Sequence, residues 1–235
     1  MTGLSRLAGD PAFTATTFVV IDFEATTPTG YPAQPIEVAV LALRYGDSGW
    51  KETGRGTSLI RPPEFAPVTP ADTAQTGLTA DQLSTAPAPA EALGALDRRF
   101  TGDARYLLVA QHAATEANII YNQREHCPTL ARIDLLDTIP LAKHCVPGLV
   151  NYRLDTLLAH FEIAQPADRH RAGADVDVTA QVFLQLIALA QDNDRVESLA
   201  DLVKIAGRTA KCNTPIQSEL FALPPESGAA TTDPA

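Results

Sequence analysis

The segment Thr17–Phe23, TFVVIDF, is an apolar, β-branched run that passes directly into Glu24, Ala25, Thr26 and Thr27. A run of this kind reads as a strand buried in a sheet. Its acids, Asp22 and Glu24, stand two residues apart, so a strand places both on one face. Carboxylates roughly 5 Å apart repel by about 3 kcal/mol at an effective dielectric of about 20. Either one of them holds a proton or a cation sits between them, and hard divalent ions such as Mg²⁺ or Mn²⁺ suit such a pair. Taken alone, the same pattern also fits a strand end with two solvated acids.

The rest of the chain surrounds that strand with alternating elements. Pro28, Gly30, Pro32 and Pro35 break the chain before a second strand at Ile36–Leu43, and Thr57–Ile60 reads as a third. Strands joined by a short, turn-rich link suggest an antiparallel start. The Pro-, Ala- and Thr-rich stretch 61–90 reads as loop with one short helix. Leu93, Leu96 and Phe100 give an amphipathic helix, Tyr106–Ala110 a fourth strand, Thr115–Glu125 a helix and Arg132–Leu136 a fifth strand. Leu154, Leu157, Leu158 and Phe161 mark a further helix, Val178 to Ile187 a longer one, and Leu199 to Ala206 a last one. Antiparallel strands followed by alternating strands and helices describe an α/β domain with a mixed five-stranded sheet flanked by helices. The expected organisation is a loose arm over 1–15, one domain over 16–195, and a helix with a disordered tail over 196–235.

Two further segments carry chemistry-bearing residues. His170-Arg-Ala-Gly-Ala-Asp175 opens the long helix, where a carboxylate in the first turn is favoured by the helix dipole. His170 in the preceding loop could equally be a surface residue; with Asp175 as a metal ligand it becomes a general base at the rim. Leu107–Ile120 runs from a strand into a helix with Glu116 near its start.

Together these segments resemble the three exonuclease motifs of the DEDDh superfamily, which has the ribonuclease H-like fold. The first motif is matched by Val19–Thr27 and the strand that follows it by Ile36, Glu37 and Val38. Val68–Leu83, with Pro70 and Gly77-Leu78-Thr79, resembles the family loop ending in Gly-Ile-Thr, and His170–Asp175 matches the third motif in full. Asn151–Leu154 and Leu157 resemble the helix before it. The middle motif departs from the family's His-Asn-x-x-Phe-Asp: here it reads Gln111, His112, Ala113, Ala114, Thr115, Glu116. The acid is kept one methylene further out, while the usual Asn and Phe are gone.

The resemblance implies hydrolysis of a phosphodiester at a 3′ end with two divalent ions, Mg²⁺ or Mn²⁺. Asp22, Glu24, Glu116 and Asp175 become the metal ligands and His170 the base that takes a proton from the attacking water. Phe23, Ala25, Thr26 and His112 are the positions expected to contact the terminal nucleotide. Strand alternation already turns Phe23 to the opposite face from the acids, which favours core packing for it.

Composition narrows the partners. Lys plus Arg number 18 against 28 Asp plus Glu, a formal net charge of -10. A protein that coats long duplex DNA is usually basic, so metal ions rather than a basic surface would have to meet phosphate here. No run approaches the ~18 uninterrupted apolar residues of a membrane helix, and no secretory apolar region opens the chain. The cysteines Cys127, Cys145 and Cys212 form no disulfide framework, which gives the expectation of reduced thiols and a cytoplasmic setting. The pairs His126-Cys127 and His144-Cys145 lack the spacing of a zinc knuckle, and Gly54-Arg55-Gly56 reads as a turn rather than a phosphate loop.

The expected function is a metal-dependent 3′–5′ exonuclease acting on single-stranded DNA or RNA 3′ ends, DNA being favoured. The alternative is a drifted nuclease-like protein that binds nucleic acid or a polymerase with little catalysis. A polymerase or a second copy of the chain is the expected protein partner, and no membrane is involved.

Overall fold

The computed structural model describes residues 6–100, 102, 104–192 and 196–214. Six strands form one sheet in the order β3-β2-β1-β4-β5-β6. The strands are β1 (Thr16–Thr26), β2 (Gln34–Gly46), β3 (Gly49–Leu59), β4 (Arg105–Ala110), β5 (Leu135–Asp137) and β6 (Gly207–Arg208). β1, β2 and β3 run antiparallel to one another, whereas β4 and β5 run parallel to β1. The mixed α/β architecture is the expected one, with six strands rather than five. The added strand, β6, pairs antiparallel with β5 through Leu135 and Leu136. Two residues are too few to leave any alternation in a sequence.

Helices cover both faces: α1 (Pro11–Thr14), α2 (Pro70–Thr76), α3 (Ala80–Ser84), α4 (Pro89–Asp97), α5 (Ala114–Asn122), α6 (Thr138–Cys145), α7 (Leu154–His160), α8 (Ala172–Asp192) and α9 (Leu199–Ala206). Strand alternation in β1 sorts its apolar residues cleanly. Phe18 and Val20 pack in a core with Val176, Phe183, Leu186 and Ile187 of α8, while Val19, Ile21 and Phe23 pack in a second core with α4 and α5. α8 is long and apolar enough by composition to cross a membrane. Its residues Val178, Val182, Phe183, Leu186 and Ile187 are instead buried against the sheet.

Four local readings change. β3 is an eleven-residue strand, and Gly54-Arg55-Gly56 lies within it, opposite Ala42, Leu41 and Val40. It is a polar edge strand held by the backbone of apolar β2, so it needs no apolar alternation of its own, and its charges keep the edge from pairing further. The stretch 61–90 holds α2, α3 and the start of α4. Capping boxes Thr69–Asp72 and Thr79–Gln82 start α2 and α3, and Gly77, in the left-handed region at φ 72°, ends α2. α6 begins at an Asp137 cap. Finally, the N-terminal segment is not loose over its described part: Leu7 and Phe13 are fully buried, and Phe13 sits 5.2 Å from Phe18 and 5.7 Å from Trp50 between ring centres. The expected disordered tail beyond Pro224 lies outside the described residues.

Candidate active site

Asp22 and Glu24 continue the row begun by Phe18 and Val20, so they arrive over the start of α8, where Asp175 stands in the first turn. Glu24 and Asp175 are buried and Asp22 is half-buried. One donor atom each from Glu24, His170 and Asp175 lies within 4.8 Å of the others. The electrostatics are those of crowded acids short of cation. Burial first, then the charge of Asp175, raises the Asp22 carboxyl to about 7. Burial and then the charges of Asp22 and Asp175 raise Glu24 to about 8. Glu116 is buried, and desolvation followed by the charge of Asp22 pushes it well above the usual carboxylate range. Oε2 of Glu116 and Oδ1 of Asp175 are buried with no hydrogen-bond partner. Orphaned carboxylate oxygens, raised proton affinities and an oxygen-rich donor set with one imidazole all fit a hard divalent cation.

The start of α8 is clamped to the sheet. The buried carboxylate of Glu37 accepts from Arg171 Nε at 3.0 Å and Nη2 at 2.7 Å, and from the Ala172 backbone N–H at 3.0 Å. His170, immediately before this clamp, is exposed and has a left-handed backbone at φ 67°. Such a conformation is costly for a residue with a Cβ and persists where its neighbours over-determine it. The clamp supplies that determination and leaves the imidazole at the rim, beside Glu24 and Asp175. Arg169, with a side chain only 12% exposed, ion-pairs with Asp175 and donates to Asp155 from Nε at 3.2 Å and Nη2 at 3.0 Å. Its charge lowers the proton affinity of both Asp22 and Glu24.

The middle motif is built differently. Gln111 donates to the Tyr152 carbonyl at 2.8 Å and accepts from Thr138, tying the end of β4 to the loop before α7 and to the start of α6. His112 is exposed at φ 66° and its Nδ1 lies 2.9 Å from Thr115 Oγ1. Asp137 accepts from the Ala113 N–H at 3.1 Å and the Ile139 N–H at 2.9 Å. Asp134 accepts from the Ala210 N–H at 2.8 Å. Both acids therefore spend their oxygens on the fold, while Glu116 keeps one free and aimed among the site's charges.

The side chains of the first motif beyond its acids are engaged with the fold. Phe23 is buried in the core beneath α4 and α5, and Ala25 packs against that same core. Thr26 is buried, its hydroxyl donating to Asp72 Oδ2 at 3.0 Å. Alternation sends Phe23 and Ala25 away from the acids, and Asp72 in the first turn of α2 takes the Thr26 hydroxyl. Arg169 and Asp155 went unread in the sequence because a lone Arg before a motif and a lone Asp in a helix carry no spacing signal. Glu37 and Arg171 were visible as motif letters, but their pairing joins residues far apart in the chain. Cys127 is buried with its thiol against the Gln123 carbonyl at 3.3 Å, and neither His–Cys pair belongs to a metal-ligand cluster among the described residues.

Residues 19–183 match the exonuclease family of the ribonuclease T type. The PolC-type DNA polymerase III of Oceanobacillus iheyensis is 30% identical over 178 residues, which is 73% of this chain and 11% of the polymerase. The corresponding enzyme of Caldanaerobacter subterraneus subsp. tengcongensis is 27% identical over 175 residues, 74% of this chain and 12% of the polymerase. The chain thus spans only about an eighth of the length of these relatives. Among solved structures, the nuclease domain of 3'hExo, a DEDDh family member bound to rAMP, superposes with a TM-score of 0.64 at 16% identity, covering 78% of this chain and 96% of that one. E. coli Exonuclease I in complex with a dA16 oligonucleotide superposes with a TM-score of 0.59 at 15% identity, covering 77% of this chain and 42% of that one. The family match takes in the strand with Asp22 and Glu24, the helix with Glu116 and the turn with His170 and Asp175, and on that match the chain belongs to the exonuclease family.

Proposed function

We propose that this chain removes nucleotides from the 3′ end of single-stranded nucleic acid, DNA in preference to RNA, with Mg²⁺ or Mn²⁺. The observation that carries the reading is the approach of Glu24, His170 and Asp175 to within 4.8 Å beside a half-buried Asp22. Asp22, Glu24, Asp175 and Glu116 are the residues that would hold two ions. When bound, such ions stabilise charge on the phosphate and lower the pKa of the attacking water. His170 takes the proton from that water, and its place at the rim lets it return the proton to solvent. The Glu37–Arg171 clamp keeps that imidazole at the carboxylates through the cycle, and Arg169 pairs with Asp175 and Asp155 in place of an ion.

The polymerase relatives support a place beside a replicative polymerase, and self-association is the other arrangement we propose to examine. The test of function uses 3′-labelled single-stranded DNA and RNA oligomers with Mn²⁺, Mg²⁺ or EDTA. Shortening from the 3′ end that needs metal and is faster on DNA is the expected result. Cleavage that persists in EDTA overturns the metal reading. Metal binding without cleavage means that the middle motif has drifted, leaving a protein that binds and does not cut.

A further inference from the structure

We propose that Tyr31 and Phe65 form a stacking platform for unpaired bases of the nucleic-acid strand whose 3′ end lies at the carboxylates. The proposal rests on the reading of the site given above and adds to it a place where the strand is gripped.

Both aromatics stand on loops that leave the sheet at its acidic end. Glu24 pairs with Glu37 across β1 and β2, and Glu37 pairs with Leu59, so β1 and β3 end level with each other on either side of β2. The loop after β1 turns through Gly30, at φ 80°, with the Tyr31 N–H donating to the Pro28 carbonyl at 3.2 Å. The loop after β3 turns where the Ala66 N–H meets the Pro63 carbonyl at 2.9 Å, next to Phe65. The Thr26–Asp72 hydrogen bond, at 3.0 Å, fastens that second loop's helix to the end of β1. Tyr31 and Phe65 meet between these two loops, their ring centres 4.9 Å apart and their planes inclined by 35°.

The pair has no place in either main core. Tyr31 is 57% exposed and Phe65 49%, and they belong to neither side of the packed sheet. Tyr121, another exposed aromatic, is covered by the cations of Arg124 and Lys211 at 4.6 and 5.4 Å from its ring. Tyr31 and Phe65 meet each other and open water. Two adjacent π-faces in water, on loops that leave the sheet at the end bearing the acids, offer what a nucleobase needs, and every base has such a face.

The chain's charge makes this contact the stronger candidate for grip. With a net charge of -10, the protein gains little from releasing counterions along a phosphate backbone. Stacking does not depend on that release, so affinity carried by Tyr31 and Phe65 should change little with salt.

The test compares the parent chain with Tyr31→Ala, Phe65→Ala and the double variant on a dinucleotide and on 15-mers of dT and U. A 2-aminopurine placed near the 3′ end reports stacking by its quenching, in EDTA and without turnover. The expected result is a KM for the 15-mers raised about tenfold in the double variant, with kcat and dinucleotide hydrolysis within about twofold of the parent. The dependence of KM on salt stays the same, and quenching is lost. Equal loss on dinucleotide and 15-mer, or quenching that is the same in parent and double variant, overturns the platform. A parent chain that quenches but cuts neither substrate removes the nuclease reading and leaves the platform standing. Both side chains are exposed, so circular dichroism of each variant should match the parent.

Discussion

Two helix starts in this molecule look alike and are stabilised in opposite ways. α8 follows His170 and α5 follows His112, both histidines in the left-handed region at φ 67° and 66°, and each helix carries an acid in its first turn. At α8 the strained backbone is held by three hydrogen bonds to Glu37, and Asp175 has Arg169 as a counter-charge. At α5 the first free N–H goes to Asp137, His112 is engaged with Thr115, and Glu116 is buried with an oxygen unpartnered. Both acids keep one unpartnered oxygen, but the acid of α8 has a counter-charge in Arg169, whereas Glu116 feels only the charges of other acids. Where no partner in the chain is provided, a buried acid either stays protonated or waits for a cation.

The largest effect that would break this comparison is at the strand both helices face. Asp22 feels the charge of Asp175, and Glu116 feels the charge of Asp22. Asp22→Asn should therefore lower cleavage by about a thousandfold or more in single-turnover assays with Mn²⁺. A rate within tenfold of the parent would show that Asp22 does not serve both sides.

The histidines come next. His170→Ala should cost about a hundredfold or more in rate while Mn²⁺ binding, followed by calorimetry, survives. His112→Ala should stay within about threefold, because its Nδ1 is occupied by Thr115. If the two variants lose activity equally, the likeness of their backbones matters more than the clamp that separates them.

A third measurement uses the protons that stand in for cations. Asp22 near 7 and Glu24 near 8 hold protons in the folded, metal-free protein that an unfolded chain would already have released. Between about pH 5 and pH 8, then, the folded state binds more protons than the unfolded one, and metal-free stability falls as pH rises. Mn²⁺ must displace those protons, so its affinity should rise about tenfold or more from pH 6 to pH 8. Calorimetry in buffers of different ionisation enthalpy reads the protons released. Affinity flat over that range would mean that both acids are already ionised.

The smallest expected change is at Arg169. Arg169→Gln frees Asp175 from its ion pair and removes a positive charge from beside the acids. Mn²⁺ should then bind about threefold more tightly. Weaker binding would show that the guanidinium positions Asp175 for the ion rather than competing with it.

What could be read in advance follows the range over which each feature is encoded. The strand Thr17–Phe23, its two acids and the helix with Val178, Val182 and Phe183 were legible because their periodicity lies within a few residues. The turn His170–Asp175 was legible as a string of letters. The Glu37–Arg171 clamp was not, because its members lie 134 positions apart and only folding brings them together. β3 was missed over most of its length because an edge strand can be specified by its neighbour's backbone. The directions taken by the side chains of Ala25 and Thr26 were not legible, because a motif names positions without saying which way each side chain turns. Glu116 was located by register alone, and its burial became apparent only with α5 in place.

The buried segments that flank the family match set a limit on how this protein can be divided. The family match runs over residues 19–183, yet Leu7 and Phe13 on one side and Val196, Leu199, Leu202 and Ala206 on the other are buried in the same core as Phe18 and Phe183. A fragment trimmed to the matched residues would lose both Phe13 and Phe18 and bare Trp50 and Phe183, on which their rings now pack. It would also strip α9 from beside α6 and β5. Removing buried side chains of this size costs about 2–5 kcal/mol each, against a whole-domain stability of about 5–15 kcal/mol. The smallest piece able to refold alone is therefore wider than the segment that defines the family, and any fusion or transplant of this nuclease should carry both flanks with it.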